Sequence, residues 1–387
     1  MLTRAGALLL ATAAALAAPA WLLGLVELWV LAGAAVLVVG LALAWTWLRG
    51  EPAIEIRRVV HPTRVHVGRT ARVEVTATGG ARRATPVVTL VDPIDGRRGA
   101  RLRLAPIGSG EVRRAAYRLP TRTRGELHIG PMSVEVDDPL GLARRTATVA
   151  ERVRVVVLPH VEPIPSAPAP TGSQPLAGHA GRPAAGRAGD EFHSLRPYVV
   201  GDDIRRVHWP STASAGDLVV RQDEEPRQGR VTVALDVEQS RAAAATFEAM
   251  VSAAASVAAA HWRRGDIVRL VTSANEDTGW VTGQAAFDGL LELLALVHRT
   301  GRSDLDRVLS TTDAGSDTLV VVGGDLPDEV VASIGRRRAR RHGHRAGLTT
   351  VRFLDRPVPR TGPGRTARVI DVVPGASFPA TWAAGVA

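Results

Sequence analysis

Residues 5–48 read AGALLLATAAALAAPAWLLGLVELWVLAGAAVLVVGLALAWTWL, and the only charge in the stretch is Glu27. It divides into two apolar runs, from Arg4 to Glu27 and from Glu27 to Arg49, each long enough for the about 20 residues that a membrane helix needs. Backbone groups left unpaired in lipid are costly, so both runs are expected to be helices. The turn around Gly24 to Glu27 leaves room only for a tight hairpin. Trp21, Trp29, Trp45 and Trp47 lie near the run ends, where interfacial aromatics belong.

The flanks orient this hairpin. Arg4 precedes the first run, and Arg49, Arg57 and Arg58 follow the second, while the tip carries only Glu27. Both ends are therefore expected in the cytosol, giving a multi-pass protein of the cell membrane with its soluble body cytoplasmic. A competing reading takes residues 1–18 as a signal peptide, because Ala15-Leu16-Ala17 resembles a small-residue cleavage site. The second run would then act as a stop-transfer helix and leave residues 50–387 on the same side.

Outward from the hairpin, residues 51–158 alternate apolar and polar, as in Ala71-Arg72-Val73-Glu74-Val75-Thr76 and Arg101-Leu102-Arg103-Leu104. Period-two alternation predicts strands with one buried face. With turns expected at Gly79-Gly80, Asp92-Pro93 and Asp95-Gly96, the region reads as an antiparallel, all-β sandwich-like domain. Residues 159–188 hold a Pro-, Gly-, Ala- and Ser-rich stretch and read as a linker.

From residue 230 to residue 387 the pattern becomes apolar strands alternating with helices. Strands are expected at 231–235, 267–272, 317–323, 349–354 and 367–373, and helices at 241–263, 284–299 and 327–341. Such alternation predicts an α/β domain with a mainly parallel sheet.

Composition narrows the function classes. The 387 residues suggest two or three folding units, and with 4% aromatic residues the cores must be filled mainly by Val, Leu, Ala and Ile. With no cysteine, there is no disulfide framework, thiolate metal site or Cys nucleophile. The net charge of +10 favours polyanions, and beside a membrane segment the lipid surface is the simpler one. The densest basic run, Arg336 to Arg341 with His342, His344 and Arg345, suits a helix C-terminus. No aromatic interleaves it to stack on bases, so nucleic acid is not an expected partner.

Two further segments carry a family resemblance. One is Arg124-Gly125-Glu126-Leu127-His128-Ile129-Gly130-Pro131 with Asp138-Pro139-Leu140-Gly141-Leu142. The other, within residues 189–229, is Gly189-Asp190-Glu191-Phe192-His193-Ser194-Leu195-Arg196-Pro197-Tyr198 with Gly201-Asp202-Asp203-Ile204-Arg205-Arg206-Val207-His208-Trp209. Together they resemble the bacterial domain of unknown function 58 family. That resemblance implies a membrane hairpin, a β-rich region, this hallmark segment and a domain similar to the von Willebrand factor A fold. It also implies a partner, an AAA+ ATPase of the MoxR type.

In the hallmark, Arg196, Asp202, Asp203 and Arg205 stand close to Tyr198 and Trp209, so that guanidinium forks and carboxylates can pair locally. One reading braces a domain junction with Trp209 buried, and the other makes a partner-binding patch from residue types favoured at hot spots.

Domains of the von Willebrand type often hold Mg²⁺ on an Asp-x-Ser-x-Ser loop, a Thr and a further Asp, and hard oxygen ligands suit that ion. Here Asp236 and Ser240 match the first loop while Glu238 replaces its first Ser. Ser303 keeps a hydroxyl in the second, and Asp325 is displaced in the third. Asp236, Ser240 and Ser303 therefore form a degenerate candidate site for Mg²⁺. Adjacent carboxylates such as Asp202 and Asp203 point apart on an extended chain, and His193 and His208 lack metal-ligand spacing. No phosphate loop, nucleophile elbow or His-Glu-x-x-His motif occurs. The expectation is a non-enzymatic, membrane-anchored binding or assembly component in cell-envelope biology, with a Mg²⁺-dependent adhesion-type domain as the alternative and a hydrolase as the outside one.

Overall fold

A computed structural model describes residues 1–50, 54–80, 84–167, 174–175, 192–199, 207–223, 227–301, 303–312, 315–342, 347–355 and 368–386. The chain falls into two compact units, Met1–Leu158 and Pro159–Ala387.

The first unit opens with two apolar helices, α1 (Arg4–Leu23) and α2 (Val26–Leu48), both long and apolar enough to cross a membrane. Thr3 caps α1 by accepting the Gly6 N–H, and Gly24 ends it at φ 67°, the left-handed conformation in which Cβ is a liability. Ten strands follow: β1 (Ile54–His61), β2 (Arg64–His66), β3 (Arg72–Gly79), β4 (Val88–Ile94), β5 (Arg97–Leu104), β6 (Val112–Arg118), β7 (Gly125–Ile129), β8 (Met132–Asp137), β9 (Arg144–Ala150) and β10 (Val153–Leu158). One sheet is β1-β3-β6, and the other is β2-β10-β7-β4-β8-β9 with β5 also on β4. Every pair is antiparallel except β2 with β10, a departure from the purely antiparallel expectation.

The alternation in β3 works as read: Val73, Val75 and Ala77 are buried and join Val88, Leu90, Ile129, Met132, Val134, Val155 and Val157 in one core. Each such side chain contributes about 1.5–3 kcal/mol by leaving water. One polar group interrupts the core. Asp92 on β4, 1% exposed, takes the Arg58 Nη1 hydrogen bond at 2.7 Å from β1 and the Tyr117 hydroxyl at 2.6 Å from β6, tying the two sheets together. Asp92-Pro93 is therefore no turn. The pair lies inside β4 at an irregularity in its register with β5, the kind of place where a strand tolerates proline. The turn is made by Asp95-Gly96 alone, both at positive φ as a two-residue hairpin requires.

In the second unit, β11 (Gln174–Pro175) pairs with β14 (Arg227–Gln228), and β12 (Phe192–Pro197) with β13 (Val219–Asp223), the short helix α3 (Trp209–Ala215) lying between β12 and β13 in the chain. The main sheet has the order β16-β15-β17-β18-β19 from β15 (Arg230–Leu235), β16 (Ile267–Thr272), β17 (Thr318–Gly323), β18 (Gly347–Phe353) and β19 (Arg368–Val372). All its pairs are parallel, and β17 is buried throughout. The helices are α4 (Ala244–Arg264), α5 (Gln284–Leu296), α6 (Leu305–Thr312), α7 (Asp328–His342) and α8 (Phe378–Val386). Strongly apolar strands of this kind need cover on both faces.

Residues 159–167, assigned to the linker by composition, are instead held down in this unit. Ser256 Oγ accepts the Glu162 N–H at 2.9 Å, Arg264 donates to the Ala167 carbonyl at 2.7 Å, and the buried Trp382 donates to that of Pro165 at 2.8 Å. A segment poor in its own periodicity is ordered here by donors and acceptors on α4 and α8. Apart from Gln174 and Pro175, the rest of the expected linker lies outside the described residues.

Candidate functional site

In the main sheet the connection from β15 runs to one side, toward β16, and that from β17 to the other, toward β18. Opposed connections open a crevice at the carboxyl ends of neighbouring strands, where α/β proteins bind ligands. Asp236, the residue after β15, stands at this point.

Its side chain is fully buried. Oδ1 accepts hydrogen bonds from Ser273 Oγ at 2.9 Å, from the Glu238 N–H at 3.3 Å and from Ser303 Oγ at 3.3 Å, and Oδ2 accepts from Arg241 Nη1 at 3.0 Å. Arg241 also pairs with Glu238 through Nη2 at 3.2 Å. Backbone packing fixes that arginine in the crevice. The Asp325 N–H donates to the Arg241 carbonyl at 2.9 Å, and a Cβ on Gly324 would stand 2.0 Å from that same oxygen, so residue 324 has to be glycine for the turn to sit there.

Of the three candidate ligands, the fold brings Asp236 and Ser303 together but turns Ser240 away. The Ser240 hydroxyl donates to Glu238 at 2.8 Å. Asp325 is exposed and joins only through its backbone. Two members were missed in the sequence. Ser273 follows β16, beside β15, and was findable as the polar residue ending the adjacent strand. Arg241 carried no signal beyond its nearness to Asp236. A cation approaching Asp236 Oδ2 meets a guanidinium already in place, and every hydroxyl within reach of the carboxylate donates to it. Among the described residues no group of three or more His, Asp or Glu side chains is placed to hold a metal ion.

The hallmark segment builds a second feature. The Tyr198 N–H donates to the Leu218 carbonyl and the His208 N–H to that of Val219, both at 2.8 Å, so the segments on either side of residues 200–206 meet the same strand end. His208 caps α3, with Nδ1 2.8 Å from Ser211 Oγ, and Val207 and Val220 are buried beneath. Trp209, which the junction reading buries and the patch reading does not, is 62% exposed, as is Val199, with Leu218 43% exposed. Trp209 begins a two-turn helix packed through β13, and its side chain faces outward. Arg196 lies on β12 opposite Val220. Asp202, Asp203 and Arg205 lie outside the described residues.

The basic run is partly structural. Arg338 is 2% exposed and donates to the Ser316 carbonyl at 2.9 Å, Arg341 donates to that of Ser310 at 2.8 Å, and Arg337 pairs with Asp306. Arg336 and Arg340 are exposed.

A family model described as "Protein of unknown function DUF58" matches residues 194–360, which include both features. No curated protein matches. Among solved structures, the CARDB domain of a Pyrococcus furiosus protein, in complex with di-metal ions, is 18% identical with a TM-score of 0.22, the match covering 27% of this chain and 93% of that one. The sporulation control protein Spo0M of Bacillus subtilis is 15% identical with a TM-score of 0.19, over 28% of this chain and 50% of that one.

Proposed function

We propose that this chain is a non-enzymatic binding or assembly component, held in a membrane by the α1–α2 hairpin, with both folded units in the cytosol. The observation that carries the binding reading is the outward-facing Trp209 with Val199 and Leu218 around one strand end. Aromatic anchors of this type dominate binding energies, and exposing one to water has no structural benefit. Arg4 and Arg49 at the same end of the hairpin support the orientation.

The α/β unit is similar, in this reading, to von Willebrand factor A domains, but with the cation at its strand-end carboxylate supplied internally by Arg241. The Mg²⁺-dependent adhesion alternative has no support in that geometry, and the contact of His208 with Ser211, a Ser–His pair, serves as the cap of α3 and gives a hydrolase no support. The partner proposed is a MoxR-type AAA+ ATPase, which the family resemblance implies and which a cytosolic body could meet.

The test is association of the purified full-length protein, in detergent micelles, with a purified MoxR-type ATPase. Trp209→Ala is expected to weaken binding at least about tenfold, a loss usual for a hot-spot aromatic, with no change in melting temperature. Binding unchanged by Trp209→Ala removes the surface from the interface. No association between the wild-type proteins removes the ATPase.

A further inference from the structure

The Asp138–Ala143 loop between β8 and β9 grips the start of the membrane hairpin. The Thr3 N–H and hydroxyl both donate to the Leu142 carbonyl at 2.9 Å, the hydroxyl is also 2.7 Å from that of Gly141, and the Met1 amino group donates to Arg144 O at 2.6 Å. Contact is so close that a Cβ on Gly6 would lie 2.3 Å from the Leu142 carbonyl oxygen. The Leu142 side chain is buried with Val39 and Ala42 of α2, and Leu9, Leu10 and Val38 pack against the same cluster.

Those partners set a depth. From Gly6, which faces the Leu142 carbonyl, and Ala42, which is buried with the Leu142 side chain, the two helices run on to the tip at Leu23 and Val26, roughly 25 Å at 1.5 Å per residue. A bilayer's hydrocarbon is about 30 Å thick. To cover the hairpin, it must extend past the level of Leu142 by about 5 Å. Leu8 and Leu41, at that level on the outer faces of the helices, are 68% and 61% exposed and apolar.

The loop is built for such surroundings. Asp138 is 4% exposed, and its carboxylate accepts the Leu140 N–H at 2.8 Å and the Ala143 N–H at 2.5 Å. The Asp138 N–H donates to Ala143 O and that of Gly141 to Asp138 O, both at 3.0 Å, while Pro139 has no N–H to satisfy. Internal pairing of this kind is what backbone needs where water is absent. What remains at the tip is Pro139, exposed, and Leu140, 66% exposed.

We infer that the Asp138–Ala143 loop is a lipid-contacting element that carries Leu140 into the bilayer beside the hairpin, so that the β-domain rests in the membrane surface. The inference rests on the hairpin spanning a bilayer. Leu140→Asp would place a charge there, at a cost that depends on depth.

Because the chain has no cysteine, single-cysteine variants of the full-length protein report cleanly. Leu140→Cys, Leu37→Cys on the exposed face of α2 and Thr123→Cys in an exposed turn would each be labelled with a polarity-sensitive fluorophore in phosphatidylcholine vesicles. The expected result is a blue shift, and loss of intensity to spin-labelled lipid, at positions 140 and 37 but not at 123. Water-like emission at 140 with a dry 37 overturns the loop inference and leaves the anchor standing. Water-like emission at both sites overturns the anchor and the inference with it.

Discussion

Replacing Arg241 by Met keeps the aliphatic stem and removes the charge that faces Asp236. The carboxylate it leaves is fully buried, with Ser273 and Ser303 hydroxyls as its remaining side-chain donors. Breaking a buried ion pair costs about 3–5 kcal/mol, and because Arg241 is itself 24% exposed the lower end applies. For a unit of this size about 3 kcal/mol lowers the melting temperature by roughly 6–12 °C. A divalent ion should then take the vacated place. Present at about 100 times its Kd, such an ion restores about 2.7 kcal/mol, while the wild type, whose cation is built in, gains nothing. Thermal unfolding of the full-length protein in micelles, with and without Mg²⁺, measures both effects, and Ser240→Ala is the control expected to be nearly silent. Two results would refute the reasoning: an Arg241→Met protein as stable as wild type, or a wild-type melting temperature that rises several degrees with Mg²⁺ and no longer does so in Asp236→Ala.

In the β-domain, Tyr117→Phe removes one hydrogen bond to Asp92 and should cost about 1–3 kcal/mol in urea unfolding, with Asp92→Ala costing more because it strands Arg58. Burial, with the hydrogen bond to Asp92 and its charge, pushes the Tyr117 pKa far up, so its contribution is complete below the unfolded-state pKa of about 10 and declines as pH rises above it; the gap between wild type and Tyr117→Phe should narrow there. Activity reporters fused after residue 60 and at the C-terminus should both register as cytoplasmic, and a periplasmic signal from either would reverse the orientation. Gly6→Val should detach α1 from the Leu142 carbonyl, seen as faster proteolysis within residues 138–143.

Uncharged runs, period-two alternation and apolar strands spaced by helices were enough to locate the hairpin, the β-region and the parallel sheet, because each rests on periodicity that local chemistry imposes. Strand 267–272 coincides with β16, and the start of the helix at 284 with α5. The short helix α6 lacked enough length to announce itself, though Phe378, Trp382 and Val386 of α8 do repeat at helical spacing. Asp236 and Ser303 were legible as a pair through the family resemblance. Other facts depend on which distant segments meet. Asp92-Pro93 reads as a turn until Arg58 and Tyr117, from the opposite sheet, need a buried carboxylate between them. Trp209 reads equally as a buried brace or as part of an exposed patch until β13 and α3 place it outside. Arg241 reads as one arginine among many until Gly324, which alone leaves room for its carbonyl, seats it on Asp236. Residue types and their periods determine which face of each element is apolar, and hence the architecture. Only the tertiary contacts decide which charge neutralises which, since burial and proximity set that balance and neither is written in local sequence.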